Sequence, residues 1–360
     1  MKRPRIAHIL LGLLALSAIG VAACSSDAEG SSATGAAGSS QPGAEQVTLH
    51  LGYFPNITHS QPIVGIANGT FAKDLGANVK LETKTFNAGP DEIQALFAGS
   101  IDIAYVGPNP AVTGYINSKG DALRVIAGAT SGGALLVVRP AANIHSPADL
   151  AGKKLATPQL GNTQDVALRN YLASHGLKPK ENGGNVTILP EANADTLTLF
   201  KKGDIDGAWV PEPWASRLVT EAGGKVFVDE RTLWPDQQFA TTVVVVRKAF
   251  LDDHPDVVQG FLKAHVETTE YIQKNPADAQ KLVNDGIDKL TGQALSDAVI
   301  TSAWSNMQVT YDPIASSITS SAEAAYNLGF LKSKPDLTGM YDLGPLNSVL
   351  KDLGLDQVAN

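Results

Sequence analysis

The residues best placed to do chemistry in this chain are Trp209, Glu212 and Trp214. They stand where an apolar run, Ile205 to Val210, ends in Pro211-Glu212-Pro213-Trp214 and gives way to a helical pattern. A carboxylate there can receive an amino or ring N–H group, and the indoles can stack on a flat ligand. The chain has no Gly-x-Ser-x-Gly elbow, His-Glu-x-x-His pair, phosphate loop or Gly-x-Gly-x-x-Gly turn,. Recognition is the chemistry these residues offer; no catalytic residue, metal site or cofactor is expected.

The elements that must hold these groups follow one design, used twice. Leu96-Phe97, Gly99-Ser100-Ile101-Asp102 and Ala104-Tyr105-Val106 answer to Leu199-Phe200, Gly203-Asp204-Ile205-Asp206 and Ala208-Trp209-Val210, about 104 residues later. Each copy is an amphipathic helix feeding a buried strand, which implies two α/β lobes presenting strand ends to a shared cleft. In open α/β sheets, ligands gather at such strand ends. Further strands are expected at Val47–Leu51, Val79–Phe86, Val125–Ala129, Val186–Leu189 and Ala240–Arg247. The turn Gly52 to Ser60 has the makings of a ligand loop, with Tyr53, Phe54, Asn56 and His59. Pro90 suits the first turn of a helix opening after Asn87. Asn162 and Thr163, after Gly161, suit the N-terminus of a helix over 166–175, where backbone amides favour an anion. From Ala249 on, Leu, Val, Ile and Phe recur at helical spacing, in segments 257–274, 276–286, 291–302 and 313–328.

Lys2, Arg3 and Arg5 precede an apolar run from Ile6 to Ala23, the pattern of a secretory signal,. Val21-Ala22-Ala23-Cys24 is similar to a bacterial lipobox, which makes Cys24, the sole cysteine, the expected lipidation site and first mature residue. Ser25 to Gln46 is rich in Ser, Gly and Ala and reads as a flexible tether. The net charge is −8, and loss of the three basic residues of the signal takes it to −11. The lack of a basic cluster beyond the signal argues against nucleic acid as a partner,.

The turn Phe86-Asn87-Ala88-Gly89-Pro90, the segment 96–106, Gly203-Asp204-Ile205-Asp206-Gly207-Ala208, and Arg247-Lys248-Ala249-Phe250 with His254-Pro255-Asp256-Val257-Val258 resemble the taurine, alkanesulfonate and nitrate group of solute-binding proteins. The resemblance spans roughly residues 47–335. It implies a type II periplasmic-binding-protein fold: one lobe from 47–136 plus 243–360, the other from 137–242, and a hinge near 135–138 and 242–246. It implies ligand contacts at Tyr53, Phe54, Asn56, His59, Gly89, Pro90, Gly107, Asn109, Ser131, Gly161, Asn162, Thr163, Trp209, Glu212 and Trp214. The implied role is capture of a sulfonate or taurine-like solute by a monomer, lipid-anchored outside the cytoplasm, for an ABC permease and its ATPase. Nitrate, bicarbonate, a thiamine- or riboflavin-type heterocycle, or ligand sensing for a membrane receptor stand as alternatives. Pyrimidine-precursor synthases of the same family need a Cys-rich active-site stretch, which this chain does not have.

Overall fold

The computed structural model describes residues 46–359. The expected signal, Cys24 and all but the last residue of the tether lie outside the described residues. The strands are β1 (Val47–Tyr53), β2 (Val79–Thr85), β3 (Ile103–Val106), β4 (Leu123–Gly132), β5 (Ala134–Val138), β6 (Lys154–Thr157), β7 (Thr187–Pro190), β8 (Gly207–Pro211), β9 (Lys225–Asp229), β10 (Ala240–Arg247) and β11 (Met307–Val309). They form two sheets, ordered β11-β4-β10-β3-β1-β2 and β7-β6-β8-β5-β9. In the first, β1 runs parallel to β2 and β3, while β10 enters antiparallel between β3 and β4. The second repeats the plan, with β6 parallel to β7 and β8, and β5 antiparallel between β8 and β9. Each sheet thus takes one reversed strand at a crossing between them.

The helices around the first sheet are α1 (Ser60–Ala67), α2 (Thr70–Leu75), α3 (Gly89–Phe97) and α4 (Pro108–Asn117). The second sheet carries α5 (Thr163–Ser174), α6 (Asn193–Lys202) and α7 (Trp214–Ala222). After β10 come α8 (Lys248–Asp253), α9 (Pro255–Lys274), α10 (Pro276–Thr291), α11 (Asp297–Ser305), α12 (Ala315–Asn327) and α13 (Gly344–Asp352). Among the described residues no helix is long and apolar enough to cross a membrane.

The inner strands β3, β5 and β8 are buried along their whole length and read as continuous apolar runs, whereas the edge strand β2 is mostly exposed,. Val244 and Val246 of β10 enter one core with Phe261 and Val266, while Val243 and Val245 enter another with Val112 and Ile318. Across the second sheet, Trp209 joins Leu168 and Leu172 on one face, and Ala208 and Val210 join Phe200 and Leu218 on the other. Each fully buried branched side chain contributes about 1.5–3 kcal/mol.

Three expectations are corrected. The chain changes sheets at Gly132–Gly133 and again between Asp229 and Ala240, so β5 and β10 each lie wholly inside one sheet instead of forming the crossings. Gly132 and Gly133 both have φ 75°, which only glycine adopts without strain, and this is what turns the chain,. The helix expected to end at Gly286 runs on to Thr291 and stops at Gly292. Gly286 is there because a Cβ would lie 2.4 Å from Ile63 of α1. The helix expected from Thr291 begins instead at Asp297, capped by the Ser296 hydroxyl.

Candidate functional site

Between the two sheets lies a small cavity of about 20 Å³, lined by Phe54, Asn56, Thr58, His59, Asn87, Gly107, Asn162, Thr163, Gln164, Asn193, Pro211, Thr241 and Thr242. Its walls are mostly helix beginnings. Asn87 lies just ahead of α3, Gly107 is the N-cap of α4, Asn162 is the N-cap of α5, and Asn193 opens α6. The first amides of a helix have no intrahelical acceptor, and together with the helix dipole they favour negative charge. No Lys, Arg, Asp or Glu lines the cavity, so an anion there meets neutral donors alone.

The side chains confirm that polar groups are waiting inside. Thr163 Oγ1, Asn193 Oδ1 and Thr242 Oγ1 are buried without a hydrogen-bond partner. Each such group costs about 1–3 kcal/mol while it stays unpaired. Asn162 makes no side-chain cap bond to its own helix, which leaves its amide for the cavity. His59 is fully buried, and burial lowers its pKa to about 3. Its Nδ1 accepts a bond from the Phe54 amide at 3.2 Å, so the neutral ring carries its proton on Nε2 and offers a donor,. The ring stacks on Phe54 at 4.5 Å.

The lobes are drawn together around this cavity. Gln159 Nε2 of the second lobe donates to Asp91 Oδ1 of the first at 2.9 Å, and Trp214 Nε1 donates to Asn56 Oδ1 at 3.0 Å. Gly107 and Thr163 meet so tightly that a Cβ on Gly107 would lie 2.4 Å from Thr163 Oγ1. This is a closed arrangement.

Of the residues expected to meet ligand, Phe54, Asn56, His59, Gly107, Asn162 and Thr163 come together in the cavity wall. The others stand elsewhere. Tyr53 is buried in the first lobe's core. Gly89 is there for packing, since a Cβ would lie 2.4 Å from Pro110. Pro90 and Gly161 line a separate surface pocket with Phe330. Asn109 Nδ2 donates to the Ser321 carbonyl at 3.3 Å, and Ser131 Oγ accepts from the Phe239 amide at 3.3 Å. Trp209 is wholly buried in the second lobe, its indole N–H on Glu230 Oε2 at 2.7 Å. Trp214 sits outside the cavity wall, with the Arg217 guanidinium 4.8 Å over its ring.

Glu212 requires a correction of role. It is fully buried, and its carboxylate accepts from the Ser216 amide at 3.0 Å, the Ser216 hydroxyl at 2.9 Å and Asn306 Nδ2 at 2.7 Å. Burial raises its pKa, with the Asn306 and Ser216 bonds opposing. Its oxygens are committed to the start of α7 and to the segment before β11, so it ties the lobes at the crossing instead of meeting an amino group. Reading the sequence missed Thr58, Asn87, Gln164, Asn193, Thr241 and Thr242. Asn87 and Asn193 carried a usable signal, as amides just ahead of helical patterns; the two threonines were hidden in an apolar strand.

Two α/β lobes, each with one reversed strand in its sheet and meeting around a polar cavity, define a two-lobe α/β fold. More narrowly, the chain belongs to the NMT1-like family, whose model matches residues 42–284. It is 31% identical over 220 residues to the taurine-binding periplasmic protein of Escherichia coli (strain K12), covering 61% of this chain and 65% of that one. The alkanesulfonate-binding protein SsuA of Xanthomonas axonopodis pv. citri, solved bound to MOPS, superposes with a TM-score of 0.69 at 19% identity, covering 83% of this chain and 99% of that one. The periplasmic nitrate-binding protein NrtA of Synechocystis PCC 6803 gives a TM-score of 0.69 at 17% identity, over 86% of this chain and 89% of that one.

Proposed function

We propose that this protein captures a small sulfonate or taurine-like solute outside the cytoplasm and delivers it to an ABC permease and its ATPase. The observation that carries this reading is the pair of unpartnered buried hydroxyls, Thr163 Oγ1 from the second lobe and Thr242 Oγ1 from the first, that line one cavity. An oxyanion placed there accepts from Thr163, Thr242, the Asn162 amide and the first amides of α5, and so bridges the lobes. Ligand contacts to both lobes favour the closed state by their differential affinity for it. The names of the taurine- and alkanesulfonate-binding relatives support the same solute class. The work is binding, not catalysis.

The size of the cavity favours a second reading. At about 20 Å³ it holds little more than a single water-sized sphere,. A bare oxyanion such as nitrate or bicarbonate needs the least widening of it, whereas a sulfonate also carries a tail that must lie outside. Calorimetric titration of the full-length protein with taurine, ethanesulfonate, nitrate and bicarbonate tests the two. Binding of sulfonates supports the first; nitrate or bicarbonate alone moves the substrate to the second; no oxyanion binding sinks both. Membrane attachment through a lipid on Cys24 completes the proposal, and it fails if Cys24→Ser incorporates labelled fatty acid as the parent chain does.

A further inference from the structure

A second chamber of about 430 Å³ shares one wall residue, Thr163, with the small cavity. One side is aromatic: Tyr171 lies edge-on to the wholly buried Trp209 at 5.6 Å, and Trp234 stacks on Phe239 at 5.7 Å, while Asn170, Ser174, Ser320 and Ser321 bring polar groups to the rest. Tyr171, Trp209 and Trp234 belong to the second lobe and the returning crossing, while Ala240 and α12 supply the opposite side. The one carboxyl in the wall, Glu230, is fully buried and already accepts the Trp209 indole N–H. Neither Lys nor Arg lines the chamber. Leu233, 49% exposed, adds an apolar lip.

These features have one occupant in common. The head cavity is too small for a whole organic anion, and it shares Thr163 with this chamber and Asn87 with a third pocket, which Lys201 and Arg217 line; the chamber without a cation is the one that suits an uncharged remainder. The chamber is of ligand size, free of cations and faced on one side with flat rings, which suits another flat ring,. A ring there touches both lobes, so it adds to closure. Resting on the oxyanion reading above, we propose that the chamber receives the ring of an arylsulfonate whose sulfonate head occupies the small cavity.

The test is titration of the full-length protein with ethanesulfonate, benzenesulfonate and naphthalenesulfonate, followed by calorimetry and tryptophan emission. The arylsulfonates are expected to bind at least about tenfold tighter than ethanesulfonate, from the apolar area they bury. They alone should shift the emission, because Trp234 lines the chamber. Ala324→Phe and Ser320→Trp fill the chamber from α12, and should bring the aryl advantage within about twofold while leaving ethanesulfonate affinity in place. Retained ethanesulfonate binding also reports that each variant is folded. Equal affinity for aryl and ethyl ligands in the parent protein, or an aryl advantage that survives both fillings, overturns the proposal and leaves the oxyanion reading standing. Failure of every oxyanion to bind removes that reading, and this one with it.

Discussion

Gly107→Ala should separate closure from folding. The backbone at Gly107 is extended, with φ −66° and ψ 149°, a conformation alanine accepts without strain,. In the folded but open protein the substitution is therefore neutral or stabilising, by about 0.4–1 kcal/mol through loss of unfolded-chain entropy. In the closed protein the new Cβ lies 2.4 Å from Thr163 Oγ1, about 1 Å inside ordinary contact,. Both groups belong to rigid elements, the cap of α4 and the first residue of α5, so the lobes must stop short. Overpacking of this kind costs about 1–3 kcal/mol, which falls wholly on the closed state and weakens ligand binding by about 5- to 150-fold. Thermal melts with and without ligand, joined to small-angle scattering, read both effects. The melting temperature without ligand should hold or rise, while the ligand-induced shift and the compaction shrink. A variant that binds and compacts like the parent chain refutes the reasoning.

Glu92 is fully buried with neither carboxylate oxygen partnered, and burial raises its pKa well above the carboxylate range. Its neutral form is favoured on folding, so the stability it contributes is complete below the ordinary carboxylate pKa and is lost as pH rises through the raised one. Glu92→Gln should remove that decline and gain about 1–3 kcal/mol at neutral pH, read by urea denaturation across pH; an unchanged profile counts against it. His59 and His265 are buried neutral, with pKa values lowered to about 3 and about 4. Stability should fall as pH drops from about 6.5 toward those values, and His265→Gln should flatten part of the slope. Glu212→Ala leaves the Ser216 amide and Asn306 Nδ2 without an acceptor and should cost about 2–4 kcal/mol,. Titration should then show affinity falling alike for zwitterionic and purely anionic ligands; a loss confined to taurine would restore Glu212 as an amino-group partner.

How far each feature was legible depended on the range of its cause. The valine run of β10 announces a strand covered on both faces, because period-two burial is a local property of Val243 to Val246. The caps Asn162 and Thr163 could be read for the same reason. Glu212 could not, because Asn306 lies 94 residues further on and nothing near Pro211-Glu212-Pro213 hints at it. Trp209 looked like a ligand wall from its place at a strand end, but the strand's pleat turns it into the core toward Glu230. The crossings were displaced because strand pairing, not apolar length, decides which sheet owns β5 and β10.

That pairing has a consequence for synthesis. The first sheet is interrupted by the whole of the second, since β10, the strand between β3 and β4, arrives only at residue 240. As the chain emerges from its N-terminus, β3 and β4 present unfilled edges while β5 to β9 are still being made. The second sheet needs nothing later than Asp229 for its strands. The inserted lobe is therefore the first that can finish, and the lobe that begins the protein is the last to be sealed.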